Sequence, residues 1–323
     1  MNILILSCGT RNKLVRYFKE GFSGVGKIIA TDSSELAPAL YEADSHYVVP
    51  KITEGNYIKE ILSICKKESI SLILTLIDPE ISLISENKQL FEAIGCKILI
   101  SPKEVVDRCL DKLAMFNHLD SLGIRTPRTY DSFQSVSNDL KKNKVTFPLF
   151  VKPRMGSASL GISIIESEKV LADVFTDNKE LTIVQEFMDG NEYGVDAYID
   201  LLSGELISLF IKKKIKMRAG ETDKSVSIRN VELENFIIDF IEKSDYKGVI
   251  DIDVFEKDGF YYISEVNPRF GGGYPHAYEC GVNFIEYIKI NLQGNVNTAE
   301  LGNYEENIFM MKYNDVIIKR LDK

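Results

Sequence analysis

Short apolar strands alternate with amphipathic helices along the first hundred residues. Continuous apolar runs predict strands at residues 2–7, 27–32, 46–50, 71–77 and 97–101. Apolar positions at three-to-four spacing predict helices at residues 13–20, 56–67 and 81–94. Because this alternation with continuously apolar strands is typical of a parallel sheet covered by helices, we expect a parallel-sheet domain over residues 1–105.

The pattern changes after residue 101. A single helix is predicted over residues 103–122, with Gly123 as its stop. Beyond a linker rich in Thr, Pro and Ser, apolar runs predict strands at residues 147–152, 162–166, 193–201, 206–213, 248–255 and 259–265, and a further strand that begins at residue 181. We therefore expect a second domain over residues 106–295, with an α+β lid at about 125–190, an antiparallel sheet beyond it, and a C-terminal extension at 296–323.

Composition places the chain among ordinary globular proteins of about two domains, with 323 residues, 45% apolar and 27% charged. The net charge of −9 argues against nucleic acid or a membrane surface as partner, because both are anionic. No uncharged apolar window approaches the ~18 residues of a transmembrane helix, and the first residues predict a strand rather than a signal peptide. The five cysteines are widely spaced and form no CxxC pair, so reduced thiols in a cytoplasmic protein are expected.

Candidate chemistry is concentrated where the strand predicted at residues 259–265 ends. Alternation places Glu265, Asn267 and, if the extension continues, Arg269 on one side of the chain. Two hard oxygen ligands beside a guanidinium suit a magnesium–polyphosphate. Asp253, on the strand predicted to pair with this one, offers another carboxylate. The alternative is a surface hairpin with solvated charges.

A loop of small residues at 155–161 follows the predicted strand that ends in Lys152. Backbone N–H groups in such a loop can surround anionic oxygens without obstruction by side chains, and Lys152 is placed to reach a phosphate. The alternative is a flexible hairpin with a solvent-facing lysine. The basic segment at residues 212–221 is predicted as a loop that either forms a solvated face or holds an anionic substrate.

Dinucleotide binding lacks its fingerprint in the first strand–helix turn. Residues 7–10 contain only Gly9 and no GxGxxG sequence. Asp32 ends the second predicted strand, where a ribose-binding acid would lie. Without the glycines we interpret Asp32 as a turn or cap residue.

Six motifs then occur in the order and approximate spacing of one family. They are Asp111-Lys112, Phe147-Pro-Leu-Phe-Val-Lys152-Pro, the small-residue loop, Val184-Gln-Glu-Phe187, Gly190-Asn-Glu-Tyr-Gly-Val-Asp196 and Glu265-Val-Asn-Pro-Arg269. Through them the chain resembles the ATP-grasp enzymes, especially carbamoyl-phosphate synthase halves, biotin carboxylase and the pyrrolysine-pathway ligase. The resemblance extends to about residue 295. It implies an ATP-grasp fold, of mixed α/β and α+β class, with a Rossmann-like pre-ATP-grasp domain at the N-terminus.

The resemblance also implies roles for individual residues. ATP would be bound by Lys112, Lys152, Gly156, Ser157, Ser159, Gly161, Glu186, Phe187 and Glu192, with Glu186 and the Phe187 backbone at the adenine and Glu192 at the ribose. Asp253, where relatives often carry Gln, would ligate one or two Mg²⁺ (or Mn²⁺) ions together with Glu265 and Asn267. The catalytic residues would be Arg269, Arg218 and Lys152, which would stabilise the transferred phosphoryl group.

The function implied is an ATP- and Mg-dependent ligase that joins a carboxylate to an amine or thiol through an acyl-phosphate, with release of ADP and phosphate. Two alternatives stay open, namely a carbamoyl-phosphate-synthase-like enzyme that forms carboxyphosphate and a non-catalytic nucleotide-binding relative. The complete metal and phosphoryl set favours an enzyme. No cysteine is given a catalytic role, and His276 is a candidate contact to the acceptor. The expected partners are small-molecule substrates, with a homodimer as an open alternative.

Overall fold

The computed structural model describes residues 1–156, 162–177, 182–218 and 220–320. The roles expected for Ser157, Ser159 and Gly161 therefore lie outside the described residues. Three sheets organise the described residues, one of five, one of six and one of four strands. Within the described ranges, the helices are too short or too polar to cross a membrane.

The N-terminal sheet is parallel, as the strand–helix alternation predicts. Its elements are β1 (Asn2–Leu6), α1 (Asn12–Gly21), β2 (Ile28–Asp32), a 3₁₀ helix (Pro38–Glu42), β3 (Ser45–Val48), α2 (Tyr57–Lys67), β4 (Ile70–Thr75), α3 (Asp78–Glu86), α4 (Lys88–Glu92) and β5 (Lys97–Ile98). The strand order is β3-β2-β1-β4-β5. Residues 3–6 of the central strand are fully buried because helices cover both faces. The helix predicted at 81–94 is wrong as one element, since α3 and α4 are separate.

The single helix predicted at residues 103–122 is also wrong. The segment forms α5 (Lys103–Leu110) and α6 (Lys112–Ser121), separated by Asp111 in an extended conformation. The Asp111 carboxylate accepts hydrogen bonds from the backbone N–H groups of Leu113 and Ala114, at 3.0 and 3.1 Å. It also forms a bidentate ion pair with the Arg154 guanidinium. Asp111 therefore acts as a helix N-cap that ties the start of α6 to the lid.

The lid is a small antiparallel sheet with two helices. Its elements are β6 (Thr129–Tyr130), α7 (Phe133–Lys141), β7 (Leu149–Pro153), β8 (Ser163–Ile165), α8 (Glu168–Asp177) and β9 (Thr182–Glu186). The strand order is β6-β9-β7-β8. Apolar residues of the strands and both helices, including Val136, Leu149 and Leu171, form its own buried cluster.

The largest sheet is antiparallel and carries the C-terminal half. Its elements are β10 (Asn191–Ile199), β11 (Leu206–Arg218), β12 (Glu221–Ser227), α9 (Val231–Glu242), β13 (Gly248–Lys257), β14 (Phe260–Asn267), α10 (Tyr274–Glu279), α11 (Phe284–Leu292) and β15 (Phe309–Met311). The order is β14-β13-β10-β11-β12-β15, so the segment expected as an extension supplies one of the two edge strands, β15. One face packs on α9 and the other towards the N-terminal domain, which fixes the two domains around a shared core.

The basic segment at residues 212–221 is not the predicted loop, because it continues β11 and turns into β12. Alternation along β11 turns Lys212 and Lys214 inward, and their side chains are 1% and 4% exposed. Lys212 pairs with the fully buried Asp196. A buried lysine stays charged at little cost only when a carboxylate compensates its charge, as Asp196 does here.

We expect Asp196→Ala to lower the free energy of unfolding by about 3–5 kcal/mol, because Lys212 would remain buried without its direct partner. The control is Asp239→Ala, which removes an exposed pair with Lys243 on α9 and should cost less than about 1 kcal/mol. Urea denaturation followed by circular dichroism measures both variants. Equal losses of unfolding free energy in Asp196→Ala and Asp239→Ala would contradict the contribution assigned to burial of the pair.

Candidate functional site

A cavity of about 770 Å³ lies where the three sheets meet. This volume suits a small-molecule site, for which ~300–1,000 Å³ is usual. The N-terminal domain contributes Arg11 and residues 76–79, and α6 contributes Lys112. The lid contributes Phe150, Lys152, Pro153, Met155, Gly156, Ile162, Gln185, Glu186 and Met188. The large sheet and its loops contribute Glu192, Lys214, Glu221, Asp251, Asp253, Glu265, Asn267, Arg269, Gly272 and Gly273, among others.

A bulge in β14 turns Glu265 into this cavity. Asp253 pairs with Glu265 and Val254 with Ile263, so Ser264 has no partner across the ladder. In a regular strand Glu265 would share the side of Ile263, which is fully buried in the core. The extra residue reverses the alternation, and bulges commonly re-aim side chains in this way beside functional sites.

The candidate metal ligands Asp253, Glu265 and Asn267 all line the cavity. Burial raises the pKa of Glu265, and the neighbouring Asp253 raises it further, while Lys112 and Lys152 oppose the shift. Two adjacent carboxylates of this kind are stabilised by a cation. Within the described ranges, no three His, Cys, Asp or Glu side chains are grouped to hold a metal. The carboxylates of Asp253 and Glu265 and the Asn267 amide oxygen fit Mg²⁺, because this ion takes one or two carboxylates and completes its coordination with phosphates and water.

Lys214 was not assigned from the sequence. Its Nζ donates to Glu192 at 2.7 Å and to Asp253 at 2.6 Å, so the expected ribose ligand and one expected metal ligand share a lysine. Burial lowers the pKa of Lys214, but the two carboxylates outweigh it and the net shift is upward. The available signal was the alternation in the basic segment, which places Lys212 and Lys214 on the same side of a strand.

Asp78 was also missed. It stands at the start of α3, directly after the turn that follows β4, and its carboxylate pairs with Arg269 at 2.8 Å. Arg269 donates to the Asn267 amide oxygen at 3.2 Å as well. Asp78 of the N-terminal domain therefore positions Arg269, the last residue of the motif at residues 265–269. A signal existed in the position of Asp78 at the carboxyl end of a parallel strand, where ligands of such sheets usually bind.

Asp251 is a third cavity residue that the sequence analysis left unassigned. Burial raises its pKa to about 7, with Asp253 and Asp196 adding to the shift and Lys212 and Arg269 opposing it. Strand alternation was the sequence signal for Asp251, because a residue two positions before Asp253 faces the same side of the strand as Asp253.

Two lysines supply positive charge to the lid side of the cavity. The Lys112 ammonium donates to the carbonyl oxygen of Gly156, in the described part of the small-residue loop. Burial lowers the pKa of Lys152 to about 8, although Glu265 opposes the shift.

Arg218, by contrast, is half exposed at the end of β11, pairs with Asp223 at 3.2 Å and is not among the residues that line the cavity. Its catalytic role stays a prediction.

The pKa of Lys152 predicts how nucleotide affinity depends on pH. Below pH 8 the ammonium is protonated and ready to pair with a phosphate, whereas above pH 8 binding must also take up a proton. The dissociation constant of Mg-AMP-PNP should therefore rise by up to about tenfold per pH unit above pH 8. Calorimetry from pH 7.5 to 9.5 measures this rise. A Lys152→Arg variant, which stays charged, should lack it, and the same rise in that variant would contradict the assignment.

The expected adenine-binding residues lie at the junction of the lid and the large sheet. Glu186 accepts a hydrogen bond from the Arg128 backbone N–H at 3.3 Å and pairs with Lys257 at 3.3 Å. The Phe187 ring packs on Phe150 with ring centroids 5.0 Å apart, and Phe150 itself lines the cavity. An apolar ring beside polar strand-end groups suits a heteroaromatic base.

Two other expectations have clear outcomes. The Asp32 carboxylate accepts hydrogen bonds from the backbone N–H groups of Gly9 and Ser34, at 2.9 and 3.0 Å, which confirms the turn interpretation. His276 is buried between Ser225 and the backbone carbonyl of Ile308. It does not line the cavity, so the expected contact to an acceptor finds no support.

Comparison with known families identifies two domains in the sequence. Residues 3–99 match the family described as PylC-like, N-terminal domain, and residues 109–273 match the family described as ATP-grasp domain. The second match covers half of the chain. Carbamoyl phosphate synthase large chain from Thermoanaerobacter sp. (strain X514) is 25% identical over 266 residues, which are 76% of this chain and 24% of that protein. The arginine-specific large chain from Bacillus subtilis is 20% identical over 260 residues, again 76% and 24%.

Similar folds occur among solved structures. N5-carboxyaminoimidazole ribonucleotide synthetase from Thermotoga maritima gives a TM-score of 0.69 at 19% identity, covering 93% of this chain and 78% of that one. The biotin carboxylase domain of 2-oxoglutarate carboxylase from Hydrogenobacter thermophilus, solved with MgADP and bicarbonate, gives 0.73 at 13% identity, covering 95% and 73%. These likenesses establish the fold. The chain spans about a quarter of the length of the carbamoyl phosphate synthases that it matches.

Proposed function

The chain belongs to the ATP-grasp family, and on this premise we propose that it is an ATP- and Mg²⁺-dependent ligase that joins a carboxylate to an amine or thiol and releases ADP and phosphate. The observation that carries the proposal is the convergence of two kinds of group on one cavity. The cations Lys112, Lys152 and Arg269 and the oxygen donors of the candidate metal site come from different elements of the chain, and all line that cavity.

The nucleotide is proposed to lie along this cavity with its base at Glu186 and Phe150. Glu192 accepts hydrogen bonds from the ribose hydroxyls, and Lys214 holds its carboxylate in place. Lys112 and Lys152 neutralise phosphate oxygens. The phosphates are thereby directed towards Glu265 and Arg269.

Phosphoryl transfer needs charge neutralisation and positioning more than covalent chemistry from the protein. Asp253, Glu265 and Asn267 would hold Mg²⁺, which would supply charge neutralisation at the terminal phosphates. An oxygen of the substrate carboxylate attacks the γ-phosphorus, and the bond from that phosphorus to the bridging oxygen of ADP breaks. Arg269, oriented by its pair with Asp78, stabilises the charge on the transferred group.

The second step joins the substrates. The nitrogen or sulfur nucleophile attacks the acyl carbon, the carbon–oxygen bond to phosphate breaks, and inorganic phosphate leaves. No cysteine or serine of the protein is needed as a nucleophile. The three-sided enclosure by the N-terminal domain, the lid and the large sheet limits the access of water, which would otherwise hydrolyse the acyl-phosphate.

A second candidate uses bicarbonate as the acid and forms carboxyphosphate. The likeness to carbamoyl phosphate synthases and to a biotin carboxylase domain solved with bicarbonate favours it. The organic carboxylate ligase remains our first choice. A cytoplasmic location and a homodimer stay predictions.

We expect oxygen-18 placed in the substrate carboxylate to appear in the released phosphate, because a carboxylate oxygen attacks the γ-phosphorus. The substrate is first found by measuring ADP release with a panel of acids, bicarbonate included, against a panel of amines. Mass spectrometry of the phosphate then locates the label. Label in AMP would contradict the acyl-phosphate route, and release with bicarbonate alone would favour carboxyphosphate. No ADP from any pair would favour the non-catalytic alternative.

A further inference from the structure

A second charged group of side chains lies on the part of the cavity wall that the lid does not form. Arg11, in the turn between β1 and α1, pairs with Glu221 at 3.0 Å, and Lys312 pairs with the other Glu221 oxygen at 2.8 Å. Arg11 and Glu221 both line the cavity. Neither residue has a role in the nucleotide chemistry proposed above.

The glycines after β14 allow this pair to lie against the backbone. A Cβ atom added at Gly272 would stand 2.4 Å from the Arg11 guanidinium and 2.9 Å from the Glu221 carboxylate. A Cβ atom at Gly273 would stand 2.7 Å from Lys212. Any side chain here would displace the charged groups, so the glycines leave room for them at the cavity surface.

Both members of the pair are ionised at neutral pH. Burial raises the pKa of the Glu221 carboxyl, but Arg11 and Lys312 outweigh it, and the net shift is downward. The two side chains remain partly open to the cavity, with 23% of Arg11 and 44% of Glu221 exposed. The cavity wall therefore presents a cationic donor group, the Arg11 guanidinium, 3.0 Å from an anionic acceptor, the Glu221 carboxylate.

We propose that Arg11 and Glu221 bind the carboxylate and ammonium groups of a free amino acid, and that this amino acid is one of the two substrates that the ligase joins. The inference rests on the proposed function and names the substrate class. The guanidinium donates two parallel hydrogen bonds to a carboxylate, and Glu221 accepts from an ammonium. A zwitterion replaces the internal pair with two new ones, so neither charge is left without a partner.

A simple anion, such as phosphate or bicarbonate, would use Arg11 alone and would be repelled by Glu221. An amine without a carboxylate would use Glu221 alone. A zwitterion is the ligand class that satisfies both groups, and this difference can be measured.

The test is calorimetric titration of the full chain, in the presence of Mg²⁺ and AMP-PNP, with glycine and with both enantiomers of the other nineteen protein amino acids. At least one should bind. Its α-amide and its N-acetyl derivative should each bind about ten- to a hundredfold more weakly, because each removes one charge-assisted contact. Arg11→Gln should abolish the preference for the acid over the amide, and Glu221→Gln the preference for the free amine over the N-acetyl form. Arg16→Gln, which removes the Glu42 pair on the outer face of α1, should keep both preferences.

Equal binding of all three forms to the wild-type protein would overturn the inference, and so would the absence of any amino-acid ligand. If a variant fails to fold, the affinities of the wild-type protein for the amino acid, its α-amide and its N-acetyl derivative still test the inference. AMP-PNP affinity should be the same in all variants. ADP release with an acid and an amine that lack the zwitterion would overturn this inference and leave the proposed function intact. An amino acid that binds with both preferences but gives no ADP release with any partner would overturn the proposed function and, with it, the substrate role of that amino acid, and would leave only the binding site.

Discussion

Glu265→Gln should lower ADP production by roughly 10²–10³-fold or more while leaving the fold intact. The amide matches the volume of the acid but removes one of the two carboxylates at the candidate metal site. Mg²⁺ binding and positioning of the terminal phosphate are both weakened, because few anionic ligands are present. The measurement is the rate of ADP release at saturating substrates, with circular dichroism to check folding.

Glu256→Gln is the matched control. Glu256 lies on β13, the strand that pairs with β14, but accepts hydrogen bonds from Asn191 and Tyr193 and does not line the cavity. Its turnover should be unchanged. Asp253→Asn should fall between the two, since Asp253 already shares its charge with Lys214. Near-wild-type turnover by Glu265→Gln would show that the metal assignment is wrong.

Lys152→Ala should raise the ATP concentration needed for half-maximal rate by about ten- to a hundredfold. A charge-assisted contact to a phosphate is lost, and no other lysine of β7 can replace it. The control is Lys144→Ala in the same part of the chain, whose half-exposed ammonium pairs loosely with Asp139 at 3.7 Å. Steady-state kinetics with varied ATP compare the two. An equal shift in both variants would contradict a phosphate contact at Lys152.

The parallel sheet could be predicted because its strands are buried on both faces. Residues 3–6 are apolar without interruption, and such runs between helical patterns have few other solutions. The helix over residues 103–122 could not be divided correctly, because Asp111 is tolerated within a helix as well as at its start. Its ion pair with Arg154, 43 residues away, decides the matter in the fold.

The candidate site shows a similar limit. Glu265, Asn267 and Arg269 could be found because they are close in sequence and form a recognisable motif. Lys214 and Asp78 had only weak sequence signals, strand alternation and a strand-end position, because their importance comes from partners that only the folded chain brings near. Alternation correctly predicted that Glu265 and Asn267 face the same side of β14. It did not predict the bulge, which turns that side towards the cavity and away from the core.

The unpaired Ser264 has a consequence for insertions and deletions in this hairpin. The two-residue turn at Asp258 and Gly259 has positive φ angles at both positions and lies at the surface, so its length is free to change. Loss of one residue between Tyr261 and Glu265 would restore a regular ladder and leave the carboxylate opposite Asp253, on the cavity face. Homologues that keep the carboxylate in use should therefore either retain the extra residue as a bulge or lack one residue between Tyr261 and Glu265, while the length of the turn varies independently.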